Sequence, residues 1–249
     1  MAGLVPTSQA WTLSGSSDIY KFSGHTVYLD VSSTSCSNSS LTVDDIMNLA
    51  VKAADRYWNQ VPTSTLRFAR GEFSHEPSTG DSASNVSRRA RDNAILIGCN
   101  SSTTIFGTSG STLAVAQWIG DDGKIVGASI LINDTANTSV DGLGEDQILS
   151  TLAHEIGHTF QLGHSEVRES LMYYQIIQDR PKLGQDDYDA VTFLYPTQKN
   201  EELKGLFSSC GTIDLSGPDD PGDGPWQFLF SLFVGLIIFT LKRPSKKYI

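Results

Sequence analysis

The stretch that decides the fold is His154-Glu155-Ile156-Gly157-His158-Thr159-Phe160-Gln161-Leu162-Gly163-His164. It closes a run in which apolar residues recur at helical spacing. The apolar side of that run consists of Ile148, Leu149, Leu152, Ile156 and Phe160. Glu145 and Asp146 stand at its beginning, where negative charge is favoured by the positive end of a helix dipole. The pattern predicts a helix from about 145 to 162.

Three histidines and one glutamate in this stretch have the spacing of a catalytic zinc site. Because residues four apart lie on one helix face, His154 and His158 can direct two imidazoles at one point. His164 can supply a third ligand once the chain reverses, which leaves one coordination position for water. Glu155 is placed to act as the general base on that water. The alternative is a set of ordinary surface residues, but three of the chain's five histidines fall within these eleven residues.

Outward from this stretch, the sequence alternates between predicted strands and helices. Runs rich in β-forming residues predict strands at 26–31, 66–70, 94–98, 113–118 and 125–132. Amphipathic spacing predicts helices at about 42–60, where Thr42 and Asp45 resemble a capping box, and at about 185–194. The polar stretch 71–92 is predicted to be a long loop. This order predicts an α+β fold with helices packed against one sheet.

The motif and its surroundings resemble the metzincin zinc endopeptidases. Met172 follows the third histidine after a short spacing that is typical of the matrixin branch. The runs Glu169-Ser170-Leu171-Met172-Tyr173 and Gly184-Gln185-Asp186-Asp187-Tyr188-Asp189 also look like matrixins, so the resemblance spans about residues 21–196. It implies a twisted, mostly parallel sheet with an antiparallel edge strand and three helices.

The resemblance also assigns roles outside the motif. Met172 would lie in the tight turn beneath the zinc. Tyr174 stands where astacin-like and serralysin-like metzincins place a tyrosine that approaches the metal. It would either donate a hydrogen bond to the oxyanion or simply form the pocket wall. The edge strand along which an extended peptide aligns would consist of Leu113, Ala114, Val115 and Ala116.

One catalytic Zn²⁺ and protein or peptide substrates follow from this resemblance. Ca²⁺ is also compatible with it, and Asp121, Asp122 and Asp141 lie in Gly-rich turns, although their spacing is not diagnostic. Two other functions fit the same residues. One is a non-catalytic, zinc-containing module that binds extended peptides, against which the intact Glu155 argues. The other is a processing protease with a single partner.

Two positions depart from the matrixin pattern. Gln161 stands where the family has a glycine that lets the helix end, and a left-handed conformation at a residue with a side chain costs about 1–2 kcal/mol. Gly163 is therefore expected to take over the turn. The chain also continues Met172-Tyr173-Tyr174-Gln175-Ile176, whereas matrixins commonly have Met-Tyr-Pro-x-Tyr. The pocket beside the scissile bond must differ, and the family's substrate preferences do not transfer.

The composition excludes some classes of partner. Residues 1–241 contain 14 basic and 28 acidic residues, so nucleic acid is not an expected partner. The cysteines Cys36, Cys99 and Cys210 form no Cys-x-x-Cys pair, which argues against a thiolate zinc site. They fit either one disulfide and a free thiol, with the pairing undetermined, or three small core residues. The oligomeric state cannot be inferred.

Both ends of the chain differ in character from the body. The first twenty residues form an N-terminal segment in which Ser8-Gln9-Ala10 resembles the end of a signal-peptide cleavage site, which predicts Trp11 as the natural N terminus. The protease-like domain is expected at 21–199 and an acidic Pro/Gly linker at 200–225. These boundaries leave an apolar run at 226–241 and a basic tip at 242–249.

The apolar run 226–241 predicts a C-terminal transmembrane helix. As a helix it spans about 24 Å, somewhat short of a hydrocarbon core of about 30 Å. The basic tip should stay in the cytoplasm, which places the protease domain outside the cell. Two alternatives are a sorting signal that is removed after transfer, as in bacterial surface proteins, and a buried core helix. The run is apolar on all sides, which favours lipid over a protein surface.

Overall fold

The computed structural model describes residues 11–16, 18–108, 110–137, 140–175 and 180–198. The predictions for residues 1–10, the linker 200–225, the transmembrane helix 226–241, the basic tip 242–249 and Cys210 lie outside the described residues. Within the described part, no helix has the length and apolar character that crossing a membrane requires.

Five strands form one sheet in the order β2-β1-β3-β5-β4. The strands are β1 (Thr26–Ser32), β2 (Arg67–Ser74), β3 (Ala94–Asn100), β4 (Ala114–Asp121) and β5 (Lys124–Asn133). The neighbours among β1, β2, β3 and β5 are parallel, whereas β4 pairs antiparallel with β5 at the edge. The predicted mostly parallel sheet with an antiparallel edge strand is therefore confirmed.

Within the described ranges, the three predicted helices are present together with two short ones. The helices are α1 (Val43–Arg56), α2 (Ala83–Ser87), α3 (Thr103–Phe106), α4 (Glu145–Thr159) and α5 (Gln185–Leu194). Short 3₁₀ helices follow α1 and precede α4, at Trp58–Gln60 and Val140–Gly142. The predicted capping box is confirmed, because Thr42 Oγ1 accepts the Asp45 N–H and the Asp45 carboxylate accepts the Thr42 N–H.

Side-chain alternation along β3 explains how the sheet is covered on both faces. Ile95 and Ile97 belong to the main core, which the apolar sides of α1 and α4 complete. Leu96 points the other way, into a smaller cluster with Val86 of α2 and Phe106 of α3. Every residue of β3 is buried, which fits its continuous apolar run Ala94-Ile95-Leu96-Ile97-Gly98.

The prediction of one long loop at 71–92 is wrong in two places, at its beginning and at 83–87. β2 continues to Ser74, since Gly71 lets this strand approach Asp30 so closely that a side chain at position 71 would overlap its carboxylate. α2 then forms because Ser82 caps it and Ser87 anchors it, with its hydroxyl 2.8 Å from that of Ser129. Neither contact could be predicted from the polar composition of the stretch.

Two helices also end earlier than the sequence predicts. α1 stops at Arg56 before the short 3₁₀ helix, and α4 stops at Thr159 because the backbone at Gln161 turns left-handed.

The structure also decides the cysteine pairing that the sequence left open. A disulfide joins Cys36, in the loop before α1, to Cys99 of β3.

Candidate active site

The helix α4 presents two imidazoles to the same point, as the four-residue spacing predicted. The Nε2 atoms of His154 and His158 lie 3.1 Å apart. Each ring is held by its other nitrogen: His154 Nδ1 lies 2.8 Å from Leu171 O, and His158 Nδ1 lies 2.7 Å from Leu162 O. Because a carbonyl oxygen can only accept a hydrogen bond, these contacts assign the ring proton to Nδ1 and leave both Nε2 lone pairs free.

His164 joins these two histidines from the chain that follows α4. One ring nitrogen from each of the three histidines lies within 4.8 Å of the other two. The ring centroid of His164 is 5.3 Å from that of His154 and 4.8 Å from that of His158. The structure thus brings all three predicted ligands together.

This arrangement fits a tetrahedral metal ion. Two imidazoles bound at about 2.0–2.1 Å with tetrahedral angles have nitrogens about 3.3 Å apart, close to the observed 3.1 Å. Two lone pairs that face each other at this distance repel unless a cation lies between them. Neutral imidazole is also the form that binds zinc. The geometry and the donor chemistry therefore both match Zn²⁺.

Burial keeps the two helical histidines neutral. It lowers the pKa of His154 from 6.5 to about 3 and that of His158 to about 4, and in each case a neighbouring histidine adds a smaller effect of the same sign. Burial also lowers the pKa of the more exposed His164. All three rings are therefore unprotonated at neutral pH and available as ligands.

Glu155 points from α4 toward the edge strand rather than into water. Its side chain is buried, which raises its pKa from 4.5 to about 8, and a hydrogen bond from the Ala116 backbone opposes this shift. The carboxylate therefore lies between the histidines and β4. A raised pKa near neutrality suits a group that takes up a proton and later returns it.

Gly157 lets the Met172 turn approach α4. A Cβ atom at position 157 would overlap Met172 Sδ and would lie 3.0 Å from Trp58 Cζ2. Trp58 itself donates from Nε1 to Ala153 O at 2.7 Å and packs edge-on against Phe160, with centroids 4.9 Å apart. Met172 is buried and packs against the histidine-bearing helix at Gly157.

Asp187 of α5 holds that turn from the other side, a role that the sequence reasoning missed. Its buried carboxylate accepts from Ser170 Oγ at 2.5 Å, from Leu171 N at 2.6 Å and from Met172 N at 3.1 Å. It also accepts the Gly184 N–H at the beginning of α5. Burial raises the pKa of Asp187, and these hydrogen bonds counteract the shift. The run around Asp187 resembles matrixins, but nothing in its spacing connects it to Met172.

The turn after α4 corrects the prediction that Gly163 takes over the reversal. The left-handed residue is Gln161, with φ +76°, and Gly163 is not among the residues with positive φ. Glycine is instead needed at 163 because Thr12 and Leu13 pack against its backbone, where a side chain would overlap Thr12 Oγ1. The departure at 161 was visible in the sequence, but the residues that accommodate it were not.

A cavity of about 420 Å³ opens beside the three histidines. The predicted edge strand forms one wall, with β4 beginning at Ala114 and Leu113 directly before it. Tyr173, Tyr174 and Arg180 line the opposite side. Arg180 donates to the Ser170 and Arg168 carbonyls, so its guanidinium braces this wall.

Tyr174 is 55% exposed, and its ring lies 4.4 Å from that of Tyr173. Within the described residues, no hydrogen bond joins its hydroxyl to the histidines.

The three aspartates considered for calcium do not lie together. Asp141 accepts from Ser39 Oγ and Ser40 N, and in the described ranges it forms no metal-ligand cluster with Asp121 or Asp122.

Comparison with known proteins adds independent support for the resemblance. A family model described as Matrixin matches residues 91–196. Metalloendoproteinase 2-MMP of Arabidopsis thaliana is 43% identical over 82 aligned residues, which cover 27% of this chain and 22% of that protein. Metalloendoproteinase 4-MMP of the same organism is 39% identical over 70 residues, which cover 27% of this chain and 20% of that protein.

The chain therefore spans about a fifth of the length of these curated relatives. The family match includes β3, the edge strand, the whole histidine motif and the Met172 turn. Those are the same elements that form the site described above. The chain contains a matrixin-like metzincin domain.

Proposed function

We propose that this chain is a zinc-dependent endopeptidase that hydrolyses peptide bonds of extracytoplasmic proteins. The observation that carries the proposal is the histidine cluster, in which three ring nitrogens lie within 4.8 Å of one another beside a buried glutamate. Perturbed acid–base groups that converge on a cavity are typical of catalytic sites. The family match supports the same reaction class.

The edge strand β4 would align the substrate. Within the described residues, β4 pairs on one side only, with β5, so its outer backbone groups can pair with an extended peptide. Ala114 and Ala116 lie on the cavity wall, and the Ala116 N–H reaches Glu155. A peptide added to this edge would therefore pass directly in front of the general base.

His154, His158 and His164 would hold the zinc ion. Zinc bound there would supply a Lewis acid for the scissile carbonyl and would lower the pKa of a water molecule. The Leu171 and Leu162 carbonyls keep His154 and His158 in the tautomer that a ligand needs. Met172, held by Asp187, would support the floor beneath these rings.

Glu155 would move the proton. Its carboxylate would accept a proton from the attacking water and pass it to the leaving amine nitrogen as the peptide bond breaks. Burial raises the pKa of Glu155 to about 8 without a metal, and a neighbouring cation would favour the ionised form that a base requires. The low-polarity surroundings strengthen this interaction.

The substitution Glu155→Ala tests this function. Zinc should stay bound, because none of the three ligands changes, while cleavage of an unfolded protein such as casein should fall by several orders of magnitude. Metal content and initial cleavage rates are measured on the same preparation. Exposed Glu166, in the loop after His164, provides the matched control: Glu166→Ala should leave both quantities unchanged.

Two other outcomes separate the alternatives. A wild-type chain that binds zinc and peptides but cleaves nothing in a peptide library would be the non-catalytic binding module. Cleavage of a single sequence motif would indicate a narrow processing protease. If Glu155→Ala cleaves like the wild type, the proposed mechanism is wrong.

We further propose that the apolar run 226–241 anchors the domain to a membrane, with the domain outside the cell. The support comes from the sequence alone: an acidic Pro/Gly linker, an apolar run and a basic end follow one another. A chain that ends at Pro225 should be soluble and keep its zinc, while the full-length chain should sediment with membranes. Aggregation or zinc loss in the shortened chain would assign the run to the fold instead.

A further inference from the structure

Gln161 occupies a conformation that its side chain does not favour. It adopts φ +76° directly after α4, where left-handed backbone is usual only for glycine. Its polar side chain is also completely buried. A buried amide is normally tolerated only when its hydrogen bonds are satisfied, so the surroundings of this side chain show what keeps it there.

The Gln161 amide is fully engaged by backbone from the beginning of the chain. Its Oε1 accepts the Tyr20 N–H at 2.7 Å, and its Nε2 donates to Asp18 O at 2.5 Å and to Ser16 O at 3.4 Å. These partners belong to residues 12–16 and 18–20, which we call the N-terminal strap. The glutamine thus holds the strap through backbone atoms alone.

The strap also lies along the turn that carries the third histidine. The Ser14 N–H donates to Gln161 O at 2.9 Å, and the Gly163 N–H donates to Thr12 O at 2.7 Å. Thr12 Oγ1 donates to His164 O at 2.8 Å. The turn 161–164 is therefore fastened to the strap at both of its ends.

Two imidazoles of the histidine cluster depend on this turn. His158 Nδ1 lies 2.7 Å from Leu162 O, so the position of residue 162 sets the orientation of the His158 ring. His164 closes the same turn. A shift of the strap would move the carbonyl that orients one imidazole and the backbone that carries another.

We infer that Gln161 is a positioning residue: it fastens the N-terminal strap to the turn 161–164 and so aligns His158 and His164 for metal binding. This inference rests on the zinc site of the proposed function. Matrixins have glycine at this position by the resemblance described above, so the strap contact belongs to this chain's own sequence.

The test is zinc affinity in the full-length chain with Gln161→Gly and Gln161→Met. Glycine removes the strained conformation and the amide, while methionine keeps the length of the side chain and removes only its hydrogen bonds. Both variants should raise the zinc dissociation constant about 10–100-fold, as loss of groups that orient metal ligands does. Competition with a chelating dye measures this constant, and the visible spectrum of bound Co²⁺ should change with the ligand geometry.

Asn93→Gly is the matched control. Asn93 is also left-handed, with φ +54°, and its Oδ1 accepts the Gly24 N–H at 2.8 Å, but it does not line the histidine cavity. This variant should lose a comparable side-chain contact without any change in zinc affinity or in the Co²⁺ spectrum.

A reciprocal measurement covers the case in which the variants fold poorly. If the strap and the metal site are coupled, zinc should slow hydrogen exchange at the Tyr20 and Ser14 amides of the wild-type chain. Unchanged dissociation constants in both variants, or exchange at these amides that zinc does not affect, would overturn the positioning role alone. A wild-type chain that binds no zinc would overturn the proposed function as well.

Discussion

The two sides of the candidate site are built by different means. The helix side, residues 154–158 of α4, has Glu155 buried and His154 and His158 partly buried, and it follows from local spacing, because a helix of any origin would bring the two histidines together. The loop side, residues 161–175, has His164 and Tyr174 exposed, and distant segments hold it in place: the strap at Gln161 and Asp187 at Met172. Local spacing thus specifies two of the three histidines, and tertiary contacts specify the position of the third.

The difference also appears in the electrostatics. Burial lowers the pKa of His154 to about 3 and that of His158 to about 4, and it raises the pKa of Glu155 to about 8. On the loop side, His164 is more exposed, and partial burial lowers its pKa. Changes on the helix side should therefore affect the stability of the metal-free protein in addition to turnover, whereas changes on the loop side should affect mainly binding and turnover.

The largest stability effect is expected from Glu155→Gln in the metal-free protein. Because the folded state raises the pKa of Glu155 from 4.5 to about 8, the wild-type chain loses stability as pH rises across that window. Glutamine cannot ionise, so the variant should gain on the order of a few kcal/mol relative to wild type between pH 4.5 and 8. Urea unfolding with a chelator present at pH 5 and pH 8 measures this.

The pKa values of His154 and His158 shift in the opposite direction, and they provide an internal reference. Their lowered pKa values give stability that is present above pH 6.5 and is lost as pH falls toward 4 and 3. This loss should be the same in the wild type and in Glu155→Gln, so it cancels in the difference. A constant difference between the two chains from pH 5 to pH 8 would contradict the buried position of Glu155.

A smaller effect is expected from Gly157→Ala. The added methyl group would overlap Met172 Sδ and press on Trp58, so either α4 or the Met172 turn must shift. Overpacking of this kind costs about 1–3 kcal/mol in the free energy of unfolding, although alanine is the better helix former. The midpoint of urea unfolding at pH 7 reports the change.

Gly142→Ala is the comparison for that variant, because a Cβ atom at position 142 meets no atom within 4 Å. It should change stability by less than about 0.5 kcal/mol. Equal behaviour of the two alanine variants would mean that Met172 does not pack against α4 as described, and the helix side would no longer be the closely packed one.

The smallest effect is expected from Tyr174→Phe on the loop side. Since the Tyr174 side chain is 55% exposed and its ring lies against Tyr173, removing its hydroxyl should change kcat by less than about threefold. A change in KM alone would fit a pocket wall. A loss in kcat of about 10²–10³ would instead assign the hydroxyl to the oxyanion and would give the loop side a catalytic role.

Periodicity was sufficient for most of the fold. The sequence predicts the apolar stripe of α4, the strand β3 and the strands on either side of Gly120-Asp121-Asp122-Gly123, which joins β4 to β5. There Asp122 and Gly123 adopt the positive φ values of a two-residue turn. These features depend on neighbours within a few residues, which is why a sequence displays them.

Long-range contacts explain what could not be predicted. α2 depends on a buried hydroxyl contact between Ser87 and Ser129, and the sequence shows only two serines. Asp187 was part of a recognised run, yet its hydrogen bonds to the Met172 turn follow from the packing of α5. The same holds for Gln161, whose partners lie at the opposite end of the described chain.

The strap has a consequence for the order in which this protein is made. Tyr20 and Asp18 leave the ribosome before their partner Gln161, which follows 141 and 143 residues later, and the partner of Thr12 follows after 152. Contacts of such high sequence separation close late, after the ordering of the intervening chain. The strap must therefore wait through the synthesis of residues 21–160, and the histidine cluster reaches its final shape only when the strap meets the turn 161–164.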